Sequence, residues 1–198
     1  LMLKPDFSSD CAPMLTLVMA LAVAKGIRQT LRRDSEEAAA KGGIKWPNDI
    51  VVDGKKVCGI LTEMSMEQGY IQHIVIGVGI NVRKQEFPEE IRDRAAAIDE
   101  QCGFRISRSQ LIADIMEAFE EDYEIFLRTH DLKGLRASYA ELLVNQDREV
   151  CVLDPKGEYR GIARGINDQG ELLVERQDGT VEEVYAGEVS VRGIYGYV

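Results

Sequence analysis

The sequence predicts an α+β fold, a mixed sheet flanked by helices, followed by a small all-β domain. Three observations predict it. Apolar residues recur at helical spacing for about 20 residues after Pro13. The period changes to two at Ile44 and stays β-like as far as Ile80. After Asn145 the chain becomes five short β-rich runs separated by turn clusters. Since domains commonly run about 100 to 150 residues, the 198 residues accommodate one good-sized core and a small second unit. The predicted boundaries are 1–144 and 145–198, with no repeat or low-complexity linker between them.

Residues 1–4 read as the tail of a strand, and Pro13 sits where a first helical turn tolerates a residue without an N–H. Leu15, Val18, Met19, Ala22, Ile27 and Leu31 then mark one buried stripe, with a slip near Gly26, that ends near Arg33. Lys41, Gly42 and Gly43 form a connector. Residues 50–52 and 57–61 flank Asp53-Gly54, whose positive φ angles make a tight hairpin. Residues 71–80 are too continuously apolar for a strand with one wet face, which predicts a central position. Pro88, Glu89 and Glu90 predict a helix to about Glu100. Ser107 and Gln110 have capping-box spacing, and Leu111, Ile115, Met116, Phe119, Tyr123 and Phe126 give the following helix an apolar face to about Thr129. A short helix over 132–143 completes the first domain. In the second, strands at 150–153, 159–166, 172–174, 181–185 and 189–191 alternate with turns at 154–157, 167–170 and 177–179, which suggests a small barrel or sandwich.

With 24 basic against 34 acidic side chains, the net charge of −10 gives no general attraction for nucleic acid or anionic lipid. No run approaches the roughly 20 apolar residues of a membrane span, and no secretory leader opens the sequence; the expectation is a cytoplasmic protein. Cys11, Cys58, Cys102 and Cys151 are scattered singly, so they read as small buried residues rather than a disulfide framework or zinc knuckle. His73 and His130 have no neighbouring cysteine, which makes a metal site from them improbable. Glu117, Glu120, Glu121 and Asp122 read as the solvated face of a helix.

The candidate chemistry lies at 44–49, where Lys45 and the only tryptophan, Trp46, precede Pro47, Asn48 and Asp49. A strand edge beside a cleft would explain this composition, with Lys45 as a fixed cation on a carboxylate or phosphate. A solvated lysine beside an ordinary Pro-Asn turn would explain it too. Gly77 and Gly79 invite a dinucleotide reading, but the fingerprint needs glycine at 82, where Val82 stands, so a Rossmann site is rejected. These glycines admit either a close-approaching backbone or ligand, or a structural bulge, with Asn81 closing the strand; Gly59 and Glu63 have the same two readings.

Taken together, KWPNDIVVDGKKVCGILTE (45–63) followed by IVIGVGINV (74–82) closely resembles the central signature of the biotin–protein ligases, also called biotin–[acetyl-CoA-carboxylase] ligases. LMLKPD (1–6) looks like the family's strand before its long helix, while GIARGINDQGELLVE (161–175) and AGEVSVRG (186–193) look like its C-terminal SH3-like β-barrel. The resemblance implies a class II synthetase-like, biotin–lipoate ligase fold and a two-step reaction. Biotin's carboxylate attacks the α-phosphate of Mg-ATP, giving biotinyl-5′-AMP and pyrophosphate, and a lysine of a biotin carboxyl carrier protein then takes the biotinyl group. Lys45 matches the family lysine that contacts the biotin carboxylate and the adenylate phosphate. Asn48 and Asp49 match the rest of that motif, orienting Lys45 or the nucleotide, with Asp49 a candidate Mg²⁺ ligand. Trp46 belongs to the same binding segment. Gly59, Ile60 and Leu61 resemble the strand whose backbone lines the biotin pocket, Asn81 the asparagine near adenine, and 83–87 the loop over the adenylate. Phe87 would supply an apolar or stacking contact there, or packing alone.

The sequence departs from the family at its start, because a strand carrying a Ser-Thr-Asn-type biotin contact and a Gly/Arg-rich loop should precede the segment resembled by LMLKPD. The expectation is therefore an N-terminally truncated catalytic domain that makes biotinyl-AMP poorly by itself. It also implies an unpaired sheet edge that favours dimerisation, aggregation or completion by residues outside this sequence, and homodimers through the sheet are common in the family. The N-terminal helix-turn-helix of many relatives is not among these residues, so the chain supports no repressor role. Two other functions compete: a lipoate or octanoate transferase of the same fold, and a non-catalytic module that binds biotin carriers or regulates a partner.

Overall fold

The computed structural model describes residues 1–154, 157–186 and 190–193. Five strands form the first sheet: β1 (Met2–Leu3), β2 (Gly42–Lys45), β3 (Asp49–Val52), β4 (Lys55–Glu67) and β5 (Tyr70–Ile80), in the order β1-β5-β4-β3-β2. Every ladder between them is antiparallel, and the parallel component consists of two isolated bridges, Ile44 to Leu143 and Lys56 to Ala95. Asp53 and Gly54 turn the β3–β4 hairpin at φ of 51° and 73°, as their sequence predicts.

One face of this sheet is covered by helix α1 (Met14–Arg32), with Leu15, Val18, Met19, Ala22, Ile27 and Leu31 all buried. The slip in its stripe at Gly26 has a physical cause. A Cβ there would lie 2.5 Å from Ile115 Cγ1 and 2.7 Å from Ile115 Cα, so the glycine is where the later long helix presses closest. The composition of Ser9–Arg32 corrects one expectation, since this stretch is long and apolar enough to cross a membrane; 72% of its apolar window is buried inside the fold, as befits a core helix.

The expectation that residues 71–80 are covered on both faces is also corrected. β5 does lie between β1 and β4, but its burial alternates: Ile74 and Ile76 are buried while Val75 is 36% exposed. An antiparallel sheet needs a covering layer on one face only, and the residues opposite the helices, among them Gly77 and Gly79, face outward.

Helix α2 (Glu36–Ala40) was not expected; Ser35 caps it, accepting from Ala38 N at 3.1 Å. β2 then begins inside the expected connector. The helix expected from Pro88 to Glu100 is instead a series of turns, because Lys56 N donates to Arg94 O and Ala96 N to Lys56 O, pulling 94–96 against β4. Only α3 (Ile98–Cys102) is helical in this stretch. Helix α4 (Arg108–Thr129) starts at Ser107, which accepts from Gln110 N at 3.3 Å, but the Gln110 side chain turns to Asp114 rather than completing the box. The expected 132–143 helix is reduced to α5 (Arg136–Leu142).

Two aspartates fasten α4 to α1. Asp114, 2% exposed, accepts from Thr30 at 2.6 Å, Gln110 at 2.9 Å and both ends of the Arg33 guanidinium. Asp122 overturns its expected place on the solvated face: it is 1% exposed and lies 2.5 Å from Lys25 Nζ, whereas Glu117, Glu120 and Glu121 are exposed. Met116, expected on the apolar face, is 40% exposed.

The second sheet contains β6 (Glu149–Leu153), β7 (Tyr159–Ile166), β8 (Leu172–Glu175), β9 (Val181–Val184) and β10 (Ser190–Gly193) in the order β10-β6-β7-β8-β9. Val150, Val152, Ala163, Leu172, Val174 and Val184 form its buried side. Among the described residues no ladder joins β9 to β10. Pro155 and Lys156 of one expected turn, and Gly187, Glu188 and Val189 of the AGEVSVRG segment, lie outside the described residues.

Candidate active site

Lys45 is the last residue of β2, directly opposite Asp49 at the start of β3, and both are buried, at 8% and 9% exposure. The turn between them is locked to β4 by two hydrogen bonds: Asn48 Nδ2 donates to Ile60 O at 2.9 Å, and Ile60 N donates to Asn48 O at 3.0 Å. The Trp46–Pro47 peptide bond in it is cis. Asp49 Oδ1 lies 2.5 Å from Lys56 Nζ, and Oδ2 lies 4.0 Å from Lys45 Nζ, so one carboxylate stands between two ammonium groups. Gly59 gives Lys56 its lane: a Cβ there would meet Lys56 Cε and Nζ at 3.2 Å. Burial pushes the Cys58 thiol beside them up to about 12, with Asp49 adding to the shift and Lys56 opposing it.

These residues border a cleft of about 580 Å³, within the range of small-molecule sites. Lys45, Trp46, Asn48 and Asp49 form one side, Ile60 and Leu61 another, and Pro13 and Thr16 at the start of α1 a third. Six of the nine sequence-predicted residues thus converge. Gly59 acts beside the cleft through the space it leaves, and the remaining two lie elsewhere. Asn81 is held at the end of β5, its N donating to Val57 O at 2.7 Å, its O accepting from Ile98 N and its Oδ1 accepting from Gln85 Nε2. Phe87 lines a separate cavity of about 590 Å³ with Lys55, Gln85 and Arg92.

Three features of the cleft and its surroundings had no sequence signal. Thr16 Oγ1 donates to Thr62 Oγ1 at 2.8 Å, joining α1 to β4 in the cleft lining. Tyr185 and Ala186, which follow β9 of the second sheet, complete a wall far along the chain from Pro47. Lys56 reads in sequence as an ordinary hairpin lysine, and only the register Asp49↔Gly59 reveals its partner.

No cluster of three or more His, Cys, Asp or Glu side chains able to hold a metal occurs among the described residues. Asp49, the expected Mg²⁺ ligand, already faces two ammonium groups. A divalent cation would have to displace Lys56 and find its remaining ligands on substrate phosphates or water; the residues present do not fit a resident ion.

Residues 1–81, including all of the Lys45 turn, match the model of the Biotin/lipoate A/B protein ligase family. Residues 147–192 match that of the Biotin protein ligase C terminal domain. The chain carries domains of the biotin protein ligase type. A biotin protein ligase from Aquifex aeolicus, solved in complex with biotin and ATP, superposes with a TM-score of 0.77 at 27% identity over 98% of this chain and 76% of that one. The Bifunctional ligase/repressor BirA of Bacillus subtilis is 34% identical over 193 residues, covering 96% of this chain and 57% of that protein. A Biotin–[acetyl-CoA-carboxylase] ligase of Paracoccus denitrificans is 25% identical over 194 residues, 94% of this chain and 78% of that one. The chain therefore spans little more than half the length of its Bacillus relative.

Proposed function

We propose that this chain carries the reaction centre of an ATP-dependent biotin protein ligase, centred on Lys45. The observation that carries the reading is a buried lysine at the edge of a ligand-sized cleft, its turn fixed by paired hydrogen bonds, within the segment matched to the biotin and lipoate ligases. In the first step a biotin carboxylate oxygen bonds to the α-phosphorus of ATP as the bond to pyrophosphate breaks. In the second, a carrier lysine nitrogen bonds to the biotinyl carbonyl carbon and AMP leaves. Both steps bring anions to one place and build charge on phosphate or carbonyl oxygens. A fixed ammonium at Lys45 binds the former and stabilises the latter. Asn48 sets the turn, and Asp49, held by Lys56, restrains the cation from the other side.

The acceptor we propose is a lysine of the biotin carboxyl carrier protein of acetyl-CoA carboxylase, following the name of the Paracoccus relative. Four free cysteines suit a reducing cytoplasm. A homodimer would cover the open face of the first sheet, where Met2, Leu61 and Val75 are exposed; light scattering tests it.

Calorimetric titration of biotinyl-5′-AMP into the chain and into Lys45→Ala tests the site. Loss of one charge-assisted interaction of about 1.5–3 kcal/mol corresponds to roughly 10- to 150-fold weaker binding. Equal affinity of the two proteins would overturn the assignment. Stronger binding of lipoyl-AMP than of biotinyl-AMP would favour the lipoate transferases, which the matched N-terminal family model also covers.

A further inference from the structure

The residue after Lys45 is anchored to the other sheet. Trp46, 2% exposed, donates its indole N–H to Gly170 O at 3.0 Å, across 124 positions of sequence. Gly170 sits at φ +84° in the 167–170 turn that precedes β8. A Cβ there would lie 2.9 Å from both Leu17 Cδ2 and Leu132 Cδ1, so the turn presses against α1 and the segment before α5. Asp168 fixes it from outside: its carbonyl accepts from Leu132 N at 2.8 Å and its carboxylate pairs with Arg136 at 2.8 Å. Asn167 sets the turn's shape from within. Its Oδ1 accepts from Gln169 N and Glu171 N, both at 3.0 Å, and its Nδ2 donates to Glu171 at 2.6 Å.

Lys45 itself stands on the edge strand of the first sheet. β3 pairs with one side of β2; on the other side Val144 N donates to Ile44 O. Beyond Lys45 the ladder stops, and the next fixed point along the chain is the Trp46 indole. A side chain on an edge strand is held in direction by what fixes its flanking backbone, and here the Asn48–Ile60 bonds share that hold with a turn made elsewhere in the molecule.

We infer that the 167–170 turn is a positioning element for Lys45, acting through the Trp46 indole; this rests on reading the Lys45 cleft as the ligand site. Asn167, Gly170 and Trp46 are positioning residues that aim the ammonium without touching the reacting atoms. The turn thus couples the two sheets through chemistry as well as docking.

A double-mutant cycle on the whole chain tests this, with Asn167→Ala, Lys45→Ala and the combined variant titrated with biotinyl-5′-AMP. In parallel, acetic anhydride labels Lys45 without ligand, its rate read by mass spectrometry. Asn167→Ala is expected to weaken binding about fivefold when Lys45 is present and to have almost no further effect in Lys45→Ala, since coupled sites are non-additive. Release of the turn should also speed Lys45 acetylation several-fold. Equal losses in both backgrounds, or an unchanged acetylation rate, would overturn the proposal. If the wild-type chain binds no biotinyl-AMP, the ligand reading fails and the acetylation rate alone decides the positioning claim. If Asn167→Ala does not fold, Trp46→Phe, which keeps an aromatic ring and removes the donor, goes through the same measurements with the same expectations.

Discussion

Replacing Asp114 by asparagine should destabilise the chain in a manner that depends on pH. The side chain is 2% exposed and receives hydrogen bonds from Thr30, Gln110 and Arg33. Burial alone would raise its pKa, but the bonds from Arg33, Thr30 and Gln110 outweigh burial and hold the carboxyl below its usual range. Asparagine keeps the shape but turns an amide N–H₂ toward a set of donors. The Arg33 guanidinium is largely in solvent, so its share is discounted. The buried bonds from Thr30 and Gln110 to a charged acceptor leave an expected loss of about 2–3 kcal/mol. For a chain of this size that is about 4–12 °C in Tm. A carboxyl whose folded pKa is depressed stabilises above its unfolded pKa and loses that contribution as pH falls through the folded value. The deficit of Asp114→Asn should therefore be full at pH 6–7 and shrink below about pH 4. Asp122 supplies an internal control of opposite sign. Burial raises its pKa and Lys25 only partly opposes this, so the folded state holds the proton more tightly than the unfolded one and loses that stability as pH rises through the folded value. Asp122→Asn should accordingly cost less than Asp114→Asn at pH 7, and its deficit should narrow, not widen, as pH rises from 3 to 6. Urea unfolding across that range measures both variants. A wild-type midpoint for Asp114→Asn at pH 7, or a deficit that stays constant to pH 3, would refute the reasoning.

Further tests follow from single residues. Gly43→Ala places a Cβ 2.4 Å from Val144 Cγ1 and 2.9 Å from Leu142 O. It should cost about 1–3 kcal/mol by overpacking, and Val144→Ala should relieve part of that loss in urea unfolding. Gly59→Ala meets only the flexible end of Lys56, so the fold should survive with near wild-type Tm while biotinyl-AMP affinity falls as Lys56 leaves Asp49; unchanged affinity would remove Lys56 from the site. Cys58, buried with its thiol pushed up to about 12, should be the slowest cysteine to alkylate with iodoacetamide at pH 8 and react at an ordinary rate in urea.

Local signals specify the fold as far as local physics reaches. The hairpin at Asp53-Gly54, the start of α4 at Ser107 and the apolar stripe of α1 each state their geometry within a few residues. What escaped depended on partners far along the chain. Pro88-Glu89-Glu90 has the composition of a helix start, yet 94–96 are taken up by hydrogen bonds to Lys56. Asp122 has the look of a surface acid until α1 brings Lys25 to it. The candidate site divides in the same way. Lys45, Asn48 and Asp49 lie within five residues and are legible together, whereas Thr16 and Tyr185 reach the cleft, and Lys56 reaches Asp49, through sheet register and packing that no short window of sequence contains.

The bond from Trp46 to Gly170 also orders events in time. A chain made from its N-terminus at about 5–20 residues per second places Gly170 about 6–25 s after Trp46, because 124 residues separate them. Throughout that interval the nascent first sheet has the lysine but not the turn against which its neighbour closes. Nascent chains halted before residue 170 should therefore have a weakly formed cleft, and the binding-competent state should arrive with the second sheet.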